Sequence, residues 1–398
     1  MNQTKLLQPR YSLITFLLSI SGLFILMSMY MTIPLTETFM TYFHISEMQA
    51  IWIGSAFSLC YGICCLIYGP LSDYYGRNIF LTAGISFLCI VTLIGAIVNH
   101  YPTLLVLRIL QAVGAAAFVP ISLVYVAELY PPEKRLTAIG FITSGFLVAS
   151  VLSQIFATMI ETFLGWQAIF FILGIVYFIL TITSITYLPK IKNLKHKKSL
   201  FSQFSNIKSL FSSKELNFSF TITFLLLFSL IGMYTILGDF LTSPPFYFSE
   251  QSVLLIRATG LIGIMMTFFP SPLTKKFGVY QTFRISLLVS SLALLLMGLS
   301  QQPAVIIIFS ILFVAGIALL VPINIMLINN NAGEERGTAV LFNAFILFIG
   351  ASIGPLLASY LMNFGNSFIA LTVFSFLLFL GFLLSIFVIK KEQPKMKS

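Results

Sequence analysis

Three ionisable residues interrupt segments that are otherwise apolar: Arg108, Arg257 and Asp239. A charged side chain is costly in such a segment, so it usually faces water, a partner or a ligand. The arginines could bind an anionic group, because a guanidinium can grip a carboxylate with two donors. The carboxyl of Asp239 could take up a proton and so open a gate, or it could form a static salt bridge with Arg257. These residue types favour anion binding and proton transfer.

Bond-making catalysis has little support in the sequence. His44, His100 and His196 lie in polar connections, without a nucleophile or metal-ligand constellation around them. Cys60 and Cys64 share a helix face and could bind a soft metal, but a buried cysteine more often acts as a small hydrophobe. A phosphate-binding loop of the GxxxxGK[ST] type does not occur. We therefore expect neither an enzyme nor a bound metal or cofactor.

The elements that carry these residues follow from the composition. Apolar residues make up 58% of the 398 residues and charged residues only 9%, whereas a soluble domain carries about 25% charged residues. A helix that spans a bilayer needs roughly 20 mostly apolar residues. Such runs occupy approximately residues 11–34, 50–69, 79–98, 103–129, 137–160, 167–188, 218–241, 252–270, 283–300, 303–328, 338–362 and 367–389. The sequence therefore predicts an all-α integral membrane protein with twelve transmembrane helices.

The basic residues behind the net charge of +10 are concentrated in particular connections between the predicted helices. All but two of the 22 Lys and Arg residues lie at the termini and in alternate connections, the exceptions being Arg108 and Arg257. Because cytoplasmic loops are enriched in positive charge, this pattern places both termini and the central connection in the cytoplasm. It accounts for the basic charge without nucleic acid and predicts a multi-pass protein of the cell membrane, surrounded by lipid.

A basic connection divides the chain into two halves. Residues 190–217 break the apolar pattern and predict a cytoplasmic linker between one six-helix bundle, residues 1–189, and another, residues 218–398. Within the linker, apolar residues recur at helical spacing from Leu200 to Phe211. This spacing fits a helix in the cytoplasmic headgroup layer, although a solvated flexible linker is an alternative.

The second half repeats the first. At an offset of 202, residues 69–76 (GPLSDYYG) align with residues 271–278 (SPLTKKFG), and the VPI of residues 119–121 aligns with that of residues 321–323. Two bundles repeated in the same orientation are related by an axis along the membrane normal. A substrate site is then expected near the middle of the bilayer, between the bundles.

The turn after the second helix resembles motif A of the major facilitator superfamily. Residues 69–77 read GPLSDYYGR, against GxLxDxxGR[RK], and only the final basic position is lost, to Asn78. In that superfamily this turn latches the halves together on the cytoplasmic side. The resemblance implies a latch made by Gly69, Asp73, Gly76 and Arg77, with Glu128 as the expected partner of Arg77. The alternative is an ordinary turn with solvated charges.

The fourth helix resembles motif B of the drug/proton antiporter branch, whose arginine is linked to proton coupling. Residues 108–114 read RILQAVG, and Arg108 lies about 7 to 8 Å from the outer end of its apolar run. A snorkelling arginine without a transport role is the alternative. Tyr30, followed by Pro34 and Leu35, resembles the first-helix pattern of drug exporters, but an aromatic anchor at the membrane interface explains Tyr30 equally well.

Motif C of the same antiporters, GxxxGP in the fifth helix, is lost. Residues 145–150 read GFLVAS, whereas the equivalent helix of the second half reads GASIGP at residues 350–355. Small residues at this spacing allow close helix packing whatever the function. The departure weakens the case for conventional antiport and leaves transport itself unaffected.

The resemblance as a whole implies a secondary exporter that works by alternating access and is driven by inward proton flow. The substrate is expected to be either a lipophilic drug or an anionic or zwitterionic secreted metabolite, such as a siderophore or another metallophore. Arg108, Asp239 and Arg257 are the candidates for proton coupling and gating. The candidate cavity residues are Tyr30, Arg108, Gln111, Gln154, Asn324 and Asn343.

Other functions stay open at this stage. An uptake symporter for a sugar or organic acid would share the fold and motif A. A non-transporting sensor or scaffold would share the fold alone. We expect the protein to function as a monomer.

Overall fold

The computed structural model describes residues 10–189, 210–333, 336–364 and 366–388. These parts are almost entirely helical and contain no strand. We number the α-helices in chain order: α1 Tyr11–Tyr30, α2 Thr36–Phe43, α3 Glu47–Tyr75, α4 Arg77–Gly95, α5 Tyr101–Ala115, α6 Val119–Leu129, α7 Pro132–Leu164, α8 Trp166–Tyr187, α9 Lys214–Thr242, α10 Glu250–Ala258, α11 Gly260–Ile264, α12 Pro270–Phe277, α13 Val279–Leu299, α14 Pro303–Asn331, α15 Arg336–Phe364 and α16 Ser367–Val388.

Twelve helical stretches in the described residues are long and apolar enough to cross a membrane. Three of them are interrupted: α1 and α2 form the first span, α5 and α6 the fourth, and α10 and α11 the eighth, which continues through a short 3₁₀ segment. The prediction of an all-α protein with twelve spans is confirmed. The expected linker helix falls largely on residues 200–209, which lie outside the described residues.

The chain forms two compact units. The first comprises residues 1–45 and 63–198, and the second comprises residues 46–62 and 199–398, within the parts that the structure describes. The first half of α3 thus belongs to the second unit, where the Ser352 hydroxyl donates to the Ser55 carbonyl at 2.8 Å. The predicted division had kept this stretch with residues 1–189.

Both units use the same packing plan. In the first, α1 packs against α7, and α4 packs against α5 and α8. In the second, α9 packs against α15, and α13 packs against α14 and α16. The repeat seen in the sequence is therefore also a repeat of helix contacts.

Two equivalent glycines show how closely the contacts repeat. A Cβ added to Gly114 would lie 2.9 Å from the carbonyl oxygen of Gly84, and one added to Gly316 would lie 3.0 Å from that of Ser286. Both pairs are related by the offset of 202. The absence of a side chain lets α5 approach α4, and α14 approach α13, to backbone contact.

The repeated turns also share their geometry. Gly76 precedes α4 with a φ of 98°, and Gly278 precedes α13 with a φ of 86°. Residues with a Cβ rarely adopt this conformation, which explains why both copies carry glycine.

The VPI sequence occurs in both units, but the helix around it is interrupted in the first unit and continuous in the second. In the first unit the helix stops at Ala115 and restarts at Val119, just before Pro120. The amide of Ala117 bonds to the Gly114 carbonyl, and the Tyr68 hydroxyl donates to the Val113 carbonyl at 2.9 Å. In the second unit α14 continues through Pro322.

Candidate functional site

A buried polar cluster surrounds Arg108 in the first unit. The Arg108 side chain is fully buried. Its Nη1 donates to Oε1 of Gln111 at 2.9 Å and its Nη2 to the Ser28 carbonyl at 2.7 Å. Because α5 begins at Tyr101, the residue lies about 10 Å along the helix from that end, slightly deeper than the sequence predicted.

Further hydrogen bonds extend this cluster to two more helices, α4 and α8. Nε2 of Gln111 donates to the Thr92 hydroxyl at 2.9 Å, and the Ser28 and Tyr177 hydroxyls are 2.6 Å apart. The Tyr177 hydroxyl donates in turn to the Phe24 carbonyl at 2.8 Å. We call Ser28, Thr92, Arg108, Gln111 and Tyr177 the arginine cluster. It joins α1, α4, α5 and α8.

The arginine cluster keeps a cation in a low-dielectric interior. Arg108 and Gln111 are three residues apart and therefore share one face of α5. The contacts given above are with neutral acceptors, an amide oxygen and a backbone carbonyl. Arg108 and Gln111 stand out in the sequence as candidates. Ser28, Thr92 and Tyr177 do not, because hydroxyl residues in apolar helices are common and carry no charge.

Two other predicted cavity residues of the first unit are buried. Tyr30 at the end of α1 is 4% exposed, and Gln154 on α7 is fully buried. Nε2 of Gln154 donates to the Ser150 carbonyl at 2.6 Å, while its Oε1 has no hydrogen-bond partner among the described residues. A buried acceptor without a donor costs about 1–3 kcal/mol, so this oxygen is a candidate contact for a ligand.

The second unit has a neutral polar cluster. Nδ2 of Asn324 donates to the Thr223 hydroxyl at 2.8 Å and to the Ser219 carbonyl at 3.0 Å. The Thr223 hydroxyl is 2.5 Å from Oδ1 of Asn343. The structure thus brings together the two predicted asparagines through Thr223, which the sequence analysis missed. These residues, which we call the asparagine cluster, come from α9, α14 and α15.

Arg257 and Asp239 have different surroundings. Arg257 is 5% exposed, and its Nη2 donates to the Tyr234 carbonyl at 3.3 Å. The Asp239 side chain is exposed. The contact described for the Arg257 guanidinium is with the backbone of α9. A static salt bridge with Asp239 and a gate opened by protonation of Asp239 both stay predictions.

At the motif A turn, the structure places Arg77 beside Glu128, the partner expected for it. Nη2 of Arg77 lies 3.1 Å from Oε1 of Glu128, and Nη1 also contacts the Ser72 hydroxyl. Gly76 forms the turn itself. The other latch residues, Gly69 and Asp73, lie outside the residues whose side chains the structure describes. The turn is therefore joined to the end of α6 by a salt bridge.

The small residues related to motif C pack helices. A Cβ at Gly350 would collide with the Phe224 carbonyl, and one at Gly354 with the Phe228 carbonyl, where α15 crosses α9. A Cβ at Gly145 would lie 3.0 Å from the Ser19 carbonyl, where α7 crosses α1. Both units therefore use glycine for close helix contact at this crossing. Close packing accounts for these small residues whatever the function of the protein.

Twelve apolar spans in two repeated units, with polar residues buried inside each unit, define a polytopic membrane protein with the repeat architecture of many transporters. The family model of the Major Facilitator Superfamily matches residues 18–270 and 247–398. The chain belongs to this superfamily, as its motifs predicted. It is therefore a membrane transporter that binds small-molecule substrates, and not an enzyme.

Two of the proteins similar to this chain are multidrug resistance proteins of one bacterium. The chain is 24% identical to multidrug resistance protein 1 of Bacillus subtilis over 358 residues, which cover 88% of this chain and 90% of that protein. It is 31% identical to multidrug resistance protein 3 of the same organism over 121 residues, 30% of this chain and 24% of that one.

A solved structure of the human organic anion transporter MFSD10 (TETRAN) has a TM-score of 0.72 at 18% identity, with 95% of this chain and all of that chain covered. An inward-facing, unoccupied bacterial homologue of the lysosomal transporter Spinster has a TM-score of 0.73 at 15% identity, with 97% and 99% covered. At these identities the likeness shows the fold.

Proposed function

We propose that the protein exports a small organic solute by alternating access, in exchange for protons, and that the arginine cluster couples the two movements. The observation that carries the proposal is the fully buried Arg108, bonded to Gln111 and to the Ser28 carbonyl inside a transporter fold. A buried cation is costly in the membrane and is retained where it has a function.

Coupling follows from the charge of Arg108. In a low-dielectric interior a nearby anion stabilises the guanidinium, and a second positive charge destabilises it. An anionic group of a solute therefore stabilises the charged form of Arg108, and a proton that arrives in the same region destabilises it. The binding free energies of the solute and of the proton thus depend on each other through Arg108. Proton entry releases about 2.3 kcal/mol per charge for each 100 mV of membrane potential, which can concentrate a solute.

Two substrate chemistries have support. The names of multidrug resistance proteins 1 and 3 favour a lipophilic drug. The buried charges Arg108 and Arg257 favour an anionic or zwitterionic solute, such as a siderophore or another metallophore, and an organic anion transporter shares the fold. Gln154, Asn324 and Asn343 would supply neutral hydrogen bonds to either.

The rest of the proposal concerns orientation and switching. The charge pattern supports a cell-membrane protein with both termini in the cytoplasm. A monomer as the working unit is part of the proposal. The salt bridge of Arg77 with Glu128 supports the latch role of the motif A turn. Reporter fusions to the connections test the orientation, and a basic connection found outside would contradict it.

The central experiment measures flux in proteoliposomes across an imposed pH gradient. The probes are the lipophilic cation ethidium and a panel of organic acids that includes a hydroxamate siderophore. We expect outward movement of a probe against inward proton flow. Arg108→Gln should lower coupled flux at least about 100-fold, as loss of a charged group in a functional site commonly does. Arg108→Lys should restore only part of it, because lysine lacks the planar fork.

Arg135→Gln is the matched control. Arg135 is also a partly buried arginine of the first unit, and it donates to the Tyr130 carbonyl at 2.8 Å, but it lies in the first turn of α7, before the apolar span that begins at Ala138. Its flux should stay within about twofold of the parent protein. Wild-type flux and pH dependence in a well-folded Arg108→Gln protein would remove Arg108 from the mechanism. Net inward movement with protons would replace the exporter by the uptake symporter.

A further inference from the structure

A second buried arginine lies in the second unit, near the end of α10. Arg257 is 5% exposed, and its Nη2 donates to the Tyr234 carbonyl on α9 at 3.3 Å. The residue lies six positions into the membrane span that begins at Gln251, or about 9 Å along a helix. Arg257 therefore lies within an apolar span and not in the connection that precedes it.

Gly238 makes room for this guanidinium. Gly238 follows Tyr234 by four residues, so both face the same side of α9. A Cβ added at Gly238 would collide with Nη2 of Arg257. Glycine inside a helix costs roughly 1 kcal/mol relative to alanine. At this position it leaves the space that Nη2 of Arg257 occupies beside the backbone of α9.

The Tyr234 side chain provides the second observation. It is 2% exposed, and its hydroxyl is buried with no hydrogen-bond partner among the described residues. Tyr234 is also within electrostatic reach of Arg257. A hydroxyl buried without a partner loses its hydrogen bonds to water, so a stable protein usually provides an acceptor for it.

From this geometry we infer that Arg257 and Tyr234 form a binding site for the carboxylate of a small organic acid. The guanidinium supplies a positive charge and a planar set of donors, which match the two oxygens of a carboxylate. The Tyr234 hydroxyl supplies one more donor to the same anion. The site lies in the unit that does not contain Arg108, and it requires neither the proposed direction of transport nor its coupling to protons.

The decisive variant is Tyr234→Phe. It removes only a hydroxyl that has no partner among the described residues, so a purely structural role for this region predicts an unchanged or slightly raised melting temperature. A carboxylate site predicts weaker anion binding at the same stability. Ser229→Ala is the matched control, because Ser229 is a fully buried residue of α9 whose hydroxyl also lacks a partner among the described residues.

The experiment titrates purified full-length protein with sodium benzoate and follows thermal unfolding by tryptophan fluorescence. Sodium chloride at equal ionic strength and benzyl alcohol are the reference additives. We expect benzoate alone to raise the melting temperature of the parent protein and of Ser229→Ala. Tyr234→Phe should raise the apparent Kd for benzoate about tenfold, which corresponds to the loss of one hydrogen bond to a charged group.

Gly238→Ala provides an independent test, since it displaces the guanidinium and keeps its charge. It should weaken benzoate binding in protein that remains folded. Benzoate binding to Tyr234→Phe with the parent Kd would overturn the inference, and so would the absence of a benzoate effect in the parent protein. Either result leaves the flux experiment on Arg108 untouched, and a failure of that experiment leaves this site untouched.

Discussion

Where the first repeat carries Thr92, Arg108 and Gln111, the second carries Leu294, Ser310 and Phe313 at the same offset of 202. The first three residues form the centre of the arginine cluster. At the equivalent place the second repeat is almost wholly apolar. Equivalent pairs of helices are in contact in both units. The repeated fold therefore determines which helices pack together, but not which side chains are buried between them.

The second repeat carries its polar groups elsewhere. The asparagine cluster is neutral, and the charged residue Arg257 lies on α10, against the backbone of α9. The repeated turns differ in the same way: Lys275 replaces Asp73 and Val279 replaces Arg77. The turn of the second repeat therefore lacks an arginine equivalent to Arg77, which forms the salt bridge to Glu128 in the first. The difference teaches that duplication preserved the scaffold while the chemistry diverged.

The largest effect is expected from adding a methyl group at a close backbone contact of the shared scaffold. Gly114→Ala should lower stability by about 1–3 kcal/mol, because its Cβ would meet backbone atoms of both Gly84 and Leu88 at 2.9 Å. Gly316→Ala should cost less, since the nearest atom there is the Ser290 hydroxyl, which can rotate away. Thermal unfolding of both proteins measures the difference.

Gly140→Ala is the control, because nothing lies within 4 Å of a Cβ at that position. It should leave the melting temperature unchanged or raise it slightly. A melting temperature of Gly114→Ala equal to that of the parent would mean that this contact does not define the packing of the first repeat.

A smaller effect is expected from the turns. Arg77→Gln removes the salt bridge to Glu128, and such a pair at a surface is worth up to about 1 kcal/mol, or about fivefold in the balance of two conformations. We therefore expect flux to fall about fivefold, and to fall as well in Asp73→Asn. Lys275→Gln, at the equivalent exposed turn, should stay within about twofold. Equal losses in Arg77→Gln and Lys275→Gln would contradict a latch confined to the first repeat.

The smallest effect concerns Asp239 and Arg257. Because Asp239 is exposed and Arg257 contacts the backbone of α9, we expect their energetic coupling to be below about 0.5 kcal/mol in a double-mutant cycle. The cycle uses Asp239→Asn, Arg257→Gln and the double variant, with melting temperature and flux as readouts. A double variant milder than either single variant would instead show that the two residues form a structural pair.

The sequence by itself determined the class of protein. Apolar run length and the alternation of basic connections are local properties, so they predicted twelve spans without knowledge of any contact. The repeat and the motif A turn predicted the superfamily. The partnership of Arg77 with Glu128 was also accessible, because both residues lie at helix ends that the topology brings to one side of the membrane.

Only the tertiary structure decided which groups meet inside the units. Ser28, Thr92 and Tyr177 look like ordinary residues of apolar helices, and their contacts with the arginine cluster depend on the rotation and crossing of four helices. The sequence offered Asp239 as one possible partner of Arg257, but it did not indicate that Nη2 of Arg257 donates to the Tyr234 carbonyl, beside Gly238. The same VPI sequence begins a new helix, α6, in the first unit and lies inside α14 in the second. Hydropathy fixes the span of a helix, whereas the neighbouring helices fix its breaks and its buried partners.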